Sequence, residues 1–226
     1  MMQRKAEPEL MDDALQARAY AEADFEAPHN EFIALFQRCF PDFKGRETLD
    51  LGCGPGDISR RFARAYPGCL IYGIDGAQAM LEEAHRLTPA KDQAQIQFHC
   101  CLLPQDKLPQ PEYDGLISNS LLHHLHDPLI LWQTINDYSE LDAYVFVMDL
   151  LRPDSEAEAQ TLVDIYAENE PELLRHDFYQ SLLAAYRTDE VETQLLDSGI
   201  DYLRAEVVSD RHFIVYGRKN QEAATS

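Results

Sequence analysis

The 226-residue chain is long enough for one sizeable core, and no Pro/Gly/Ser-rich linker divides it. Its 40 acids against 19 Lys plus Arg leave a net charge of −21, and no basic run is longer than Arg60-Arg61. Phosphate backbones and anionic membrane surfaces are bound by clustered Lys and Arg, so both are disfavoured as partners.

No apolar run approaches the ~18 residues of a membrane span, and no signal peptide is visible. The five cysteines Cys39, Cys53, Cys69, Cys100 and Cys101 form no C-x-x-C pair. A disulfide framework and structural zinc are poorly supported, and a cytoplasmic location is expected. The vicinal Cys100-Cys101 pair reads as a strand end with two small thiols, with a redox pair as the alternative.

In chain order, residues 1 to about 12 are polar and expected to fray. A helix is predicted from Asp13 to Ala27, broken at Pro28. A second runs from Asn30 to Cys39, with Phe32, Leu35, Phe36 and Cys39 on one face. From residue 45 strands and helices alternate, which predicts a mostly parallel sheet with helices on both faces. Strands are expected at Thr48–Leu51, Cys69–Asp75, Ile96–Cys101, Tyr113–Asn119 and Ala143–Leu150. The intervening helices run from Asp57 to about Tyr66, from Ala77 to Leu87 and from Asp127-Pro128 to Tyr138. After Arg152-Pro153 the alternation stops. A capping box at Ser155-Glu156-Ala157-Glu158 opens one helix, a second covers Arg175–Tyr186, and a third starts at Thr188 and stops at Gly199. Tyr202–Ser209 and His212–Gly217 read as a closing hairpin. The remainder, 219–226, is expected to be disordered.

The chemistry concentrates in Thr48-Leu49-Asp50-Leu51-Gly52-Cys53-Gly54-Pro55-Gly56-Asp57. A strand that breaks into glycines and re-enters a helix brings bare backbone close to a ligand. Twenty-three positions after Gly52, Asp75 ends the next strand. That is near the ~20 residues at which doubly wound α/β proteins place a ribose-binding carboxylate. The glycines run G-x-G-x-G, and Asp57 stands where a dinucleotide fingerprint has its third glycine. A carboxylate there would repel a pyrophosphate and suit a cationic or zwitterionic ligand. A nicotinamide-dependent oxidoreductase is disfavoured on these grounds.

Asp50-Leu51-Gly52-Cys53-Gly54-Pro55-Gly56 resembles motif I of class I S-adenosylmethionine-dependent methyltransferases, and Gly73-Ile74-Asp75 resembles their ribose-binding strand end. The resemblance covers residues 45–218. It implies a Rossmann-like three-layer α/β sandwich, with a mostly parallel seven-stranded sheet and an antiparallel C-terminal hairpin. The N-terminal helices (1–44) and the insertion (about 153–187) would form a helical cap. It further implies that Gly52 and Gly54 back the methionine of S-adenosylmethionine and that Asp75 accepts from the ribose hydroxyls. Gly76, Ala77 and Met80 would flank the adenine, and Asn119 would lie near the methionine end. Asp50, Cys53 and Gly56 complete the cofactor set. One departure stands out: Cys100-Cys101-Leu102-Leu103 replaces the acid that many relatives place after the third strand. Backbone near Cys101 and Leu102 is the expected substitute.

The segment Ser118-Asn119-Ser120-Leu121-Leu122-His123-His124-Leu125-His126-Asp127-Pro128 resembles the stretch after the fourth strand of small-molecule methyltransferases. His123 and His124 are candidate proton acceptors, with pocket wall or core as the alternative. The His-His-x-His order lacks helical metal spacing, so no metal is expected. Tyr20 by analogy, and Arg152 and Arg175 as carboxylate-binding cations or plain surface ion pairs, are the candidate substrate contacts. Phe25 is read as core. Methyl transfer to O, N or C of a small molecule is the expected activity, with S-adenosylhomocysteine as product, in a monomer or homodimer. A non-catalytic cofactor-binding protein and a peptide or protein acceptor remain the alternatives.

Overall fold

The computed structural model describes residues 2–7, 10 and 12–219. Seven strands form a single sheet: β1 (Glu47–Leu51), β2 (Leu70–Asp75), β3 (Ile96–Cys100), β4 (Tyr113–Asn119), β5 (Ser139–Leu150), β6 (Leu203–Val207) and β7 (His212–Arg218). Their order is β3-β2-β1-β4-β5-β7-β6. Neighbours from β3 through β5 run parallel, whereas β7 is antiparallel to both β5 and β6. This is the expected Rossmann-like three-layer α/β fold. The chain order reverses between β1 and β4, so a crevice opens beyond the carboxyl ends of those strands.

Alternation along the central strands builds two cores, because successive side chains point to opposite faces. Val145 and Val147 of β5 join Leu49, Leu51 and Leu116 on one face, whereas Phe146 and Met148 join Ile117 on the other. The first face is closed by α5 (Leu129–Tyr138) and α8 (Thr188–Asp197), tied by a 2.9 Å hydrogen bond from Trp132 Nε1 to Gln194 Oε1. The second is closed by α2 (Glu26–Cys39) and α3 (Asp57–Ala65), where Phe36 meets Phe40, Phe43, Phe62 and Phe146 edge-on. Edge-on contacts add ~0.5–1.5 kcal/mol per pair beyond burial. Beside these, α1 (Ala14–Glu22) packs Ala17 on Ala77 and Met80 around α4 (Gln78–Leu87). Past β5, α6 (Glu156–Tyr166) and α7 (Glu172–Ala184) share a small core of Leu162, Val163, Leu182 and Leu183. No helix among the described residues is long and apolar enough to cross a membrane.

Several expectations are corrected. Pro28 does not separate two helices; it occupies the first turn of α2, where its missing N–H has no intrahelical partner to lose. The break comes earlier, between Glu22 and Glu26. Strand β5 begins four residues before the apolar run, with Asp142 in the left-handed region (φ +66°) and a register shift between Tyr113 and Gly115. The second insertion helix starts at Glu172 rather than Arg175. Residues 2–7 are docked rather than frayed: Met2 N donates to Asp154 O and Lys5 N to Leu183 O. Lys219 is also anchored, its Nζ donating to Asn136 O (2.7 Å) and Ser139 O (3.0 Å), and 220–226 lie outside the described residues.

Candidate active site

The turn after β1 is left-handed at three glycines: Gly52 (φ +69°), Gly54 (φ +51°) and Gly56 (φ +77°). They serve different ends. A Cβ on Gly52 would stand 2.8 Å from Leu121, and one on Gly56 would strike Phe98 at 2.6 Å. A Cβ on Gly54 would meet nothing within 4 Å, because that glycine borders a cavity of about 370 Å³. Cavities of ~300–1,000 Å³ suit small molecules and cofactors.

Asp75, at the end of β2, is held by two backbone donors. Gly54 N reaches one carboxylate oxygen and Ala77 N the other, both at 2.8 Å. Each oxygen keeps a lone pair, and the carboxylate lines the cavity. Burial raises its pKa, opposed by those two N–H donors. Asp50, 1% exposed, accepts from Ser59 Oγ at 2.5 Å. Burial pushes its pKa up to about 7, against the Ser59 hydrogen bond.

Asp50, Gly52, Cys53, Gly54, Asp75, Gly76, Met80, Cys101, Leu102, Asn119, Tyr20 and His124 all line this one cavity. Gly56 does not: it is the left-handed N-cap of α3. Phe25, expected in the core, is at the wall with Tyr20, the two rings 4.7 Å apart. The Tyr20 hydroxyl is pushed up to about 12 by burial and then by the charges of Asp149, Asp57, Asp75 and Glu7. The expected role for the Cys101 and Leu102 backbone is narrowed. Cys101 N already donates to Asp75 O (2.9 Å) and Leu102 N to Asp106 Oδ2 (2.9 Å). Only carbonyl acceptors are on offer there.

Asp57 also departs from the sequence reading. Its carboxylate meets His29 Nδ1 (2.7 Å), Arg61 Nε (2.8 Å) and Arg60 (3.5 Å). Burial pulls its pKa up, yet the hydrogen bonds from His29 and Arg61 outweigh it and hold the group well below the usual range. A carboxylate so neutralised does not repel an anion, so the case against a dinucleotide rests on glycine spacing alone.

The two candidate histidines part company. His124 is at the cavity wall, whereas His123 is buried behind it with Nδ1 2.5 Å from Asp149 Oδ1. Asp149 also accepts from Leu122 N (2.8 Å) and Leu150 N (2.7 Å). Burial disfavours both charges, and their mutual attraction wins, lowering the acid and raising the base. Arg152 and Arg175 are away from the cavity. Arg152 pairs with Glu190 (2.5 Å), and Arg175 with Asp164 (2.9 Å) and the Ala167 carbonyl (2.9 Å). Sequence reasoning missed Asp149 and Glu7. An acid inside the apolar run Val145–Leu151 was the available signal for the first; nothing local marks the second.

Residues 48–137 match the family model described as methyltransferase domain. Over 92 residues the chain is 30% identical to trans-aconitate 2-methyltransferase of Mycobacterium tuberculosis (strain ATCC 25177 / H37Ra), covering 39% of this chain and 32% of that protein. Over 163 residues it is 28% identical to malonyl-[acyl-carrier protein] O-methyltransferase of Legionella pneumophila, covering 70% and 56% respectively. The chain thus spans about a third to just over half the length of these relatives. Among solved structures, plantazolicin methyltransferase BpumL in complex with SAH superposes with a TM-score of 0.69 at 15% identity, over 92% of this chain and 90% of that one. Haemonchus contortus phosphoethanolamine N-methyltransferase 2 in complex with S-adenosyl-L-methionine gives 0.69 at 15% identity, over 92% and 58%. Glycine turn, strand order and matched family model coincide: residues 48–137 match a methyltransferase domain, and the chain as a whole has the fold of these methyltransferase structures.

Proposed function

We propose that the protein transfers a methyl group from S-adenosylmethionine to an oxygen, nitrogen or carbon atom of a small molecule. One observation carries the reading: the Asp75 carboxylate is locked by Gly54 N and Ala77 N beside a glycine that faces open cavity. Its remaining lone pairs suit two ribose hydroxyls. Gly52 and Gly54 would back the methionine, Gly76, Ala77 and Met80 would flank the adenine, and the Cys101 carbonyl would accept from the adenine amino group. A sulfonium is cationic, and the wall carries the carboxylates of Asp24, Glu26 and Asp75, while Arg60 and Arg61 are taken up by Asp57. That balance favours the charged cofactor over its neutral product.

The acceptor would sit beside Tyr20, Asn119 and His124, which share the cavity wall. Displacement at a sulfonium methyl gains chiefly from positioning, so no base is obligatory. Both wall arginines are engaged by Asp57, and Arg152 and Arg175 lie elsewhere. A neutral or cationic acceptor therefore fits better than the carboxylates in the names of the relatives.

Calorimetric titration with S-adenosylmethionine, S-adenosylhomocysteine and NADH tests the reading. Both sulfur nucleosides should bind and NADH should not. Asp75→Ala should weaken S-adenosylmethionine by about 1.5–3 kcal/mol, some 10- to 100-fold. Unchanged affinity in that variant, or NADH binding in place of the nucleosides, overturns it.

A further inference from the structure

Behind the cavity wall, three side chains from distant parts of the sequence converge. Glu7 Oε1 lies 3.5 Å from His123 Nε2 and 3.4 Å from His124 Nδ1, and the three atoms fit within 4.8 Å of one another. The Glu7 side chain is only 10% exposed, and its Oε1 makes no hydrogen bond to any described residue. Both distances exceed the 2.7–3.2 Å of ordinary N–H···O bonds. They match instead the edges of a tetrahedron around zinc: bonds of 2.0–2.1 Å put neighbouring ligand atoms about 3.3–3.4 Å apart.

The surroundings are arranged as such a site requires. Asp149 holds His123 by Nδ1, which turns Nε2 toward Glu7. A carboxylate behind a metal-binding histidine fixes its tautomer and orientation. Glu7 is itself tethered, its Oε2 accepting from Ser181 Oγ (3.3 Å) and its carbonyl lying 3.0 Å from His126 Nε2. The opposing charge, Arg4, is directed at the carbonyls of Ala184, His123 and Leu125.

We propose that Glu7, His123 and His124 bind a divalent transition-metal ion of the zinc or cobalt class. The donors are two imidazoles and one carboxylate, a set of three that leaves a tetrahedral ion one position for a further ligand. Because His124 is shared with the cavity wall, the ion would sit beside the cavity. His124 then acts as a ligand and not as a base. The sequence argued against a metal because His-His-x-His lacks helical spacing, but the third donor comes from residue 7, which no local pattern reveals.

The test uses the full chain after chelator treatment and reads metal binding without cofactor, so it succeeds or fails independently of methyl transfer. Calorimetric titration with Zn²⁺ should show one ion per chain, and Co²⁺ should produce the visible d–d bands of a tetrahedral site. Glu7→Gln and His124→Gln should each weaken binding by at least about tenfold. His176→Gln, on the exposed face of α7, should leave it unchanged. A wild-type protein that takes up neither ion overturns the proposal and leaves the cluster as an ion-pair network. Binding that persists in both variants overturns it equally, since the ion would then be held elsewhere.

Discussion

At the scale of single residues, Asp50 has the clearest measurable signature. Its carboxyl titrates near 4 in an unfolded chain and at about 7 in the native one, because burial penalises the charge. Between those values the folded state holds the extra proton, so stability falls as pH rises from about 4 to about 7 and is level above. Asp50→Asn removes the penalty and keeps an acceptor for Ser59. The variant should match the wild type near pH 4 and exceed it at pH 8 by a few kcal/mol in chemical denaturation. Equal midpoints at pH 8 would show that Asp50 ionises without cost. The placement of Gly52, Gly54 and Asp75 at the cavity was legible in the sequence because it follows from short-range sterics and one fixed spacing. Asp149, Glu7 and the partners of Asp57 were not, since each depends on a meeting between remote segments.

Among the elements, the segment 2–7 departs furthest from its sequence. Nothing in Met2-Gln3-Arg4-Lys5-Ala6-Glu7 is periodic, and its partners are mostly carbonyl oxygens, which no composition betrays. Arg4 donates to Ala184 O (2.6 Å), His123 O (2.8 Å) and Leu125 O (3.2 Å), with its guanidinium 4.2 Å above the Tyr186 ring. It thereby joins the loop after β4 to the end of α7. Arg4→Ala should cost about 2–3 kcal/mol and expose the first residues to limited proteolysis. An unaltered digestion pattern would mean that Met2, Lys5 and Glu7 hold the segment without it. Helix boundaries slipped for a related reason. Pro28 looks like a breaker locally, but α2 simply starts before it, and the polar start of β5 is a strand only because Tyr113 pairs with Ser139.

The whole molecule carries a net charge of −21, and self-repulsion opposes compaction at low ionic strength. Raising NaCl from a few millimolar to about 0.15 M shortens the screening length to ~8 Å and should raise the thermal midpoint by a few degrees. A fall would show that surface ion pairs such as Arg18–Glu22 outweigh the repulsion. Strand and helix alternation made the layered architecture legible, whereas the interior position of β7 rests on long-range pairing. That position has a consequence for how the protein is made. β6 leaves the ribosome before β7, yet it can join the sheet only through β7, which lies between it and β5. Until then the exposed edge of β5 has no partner on that side, and a nascent chain stalled short of residue 212 would present an open, apolar strand to its neighbours.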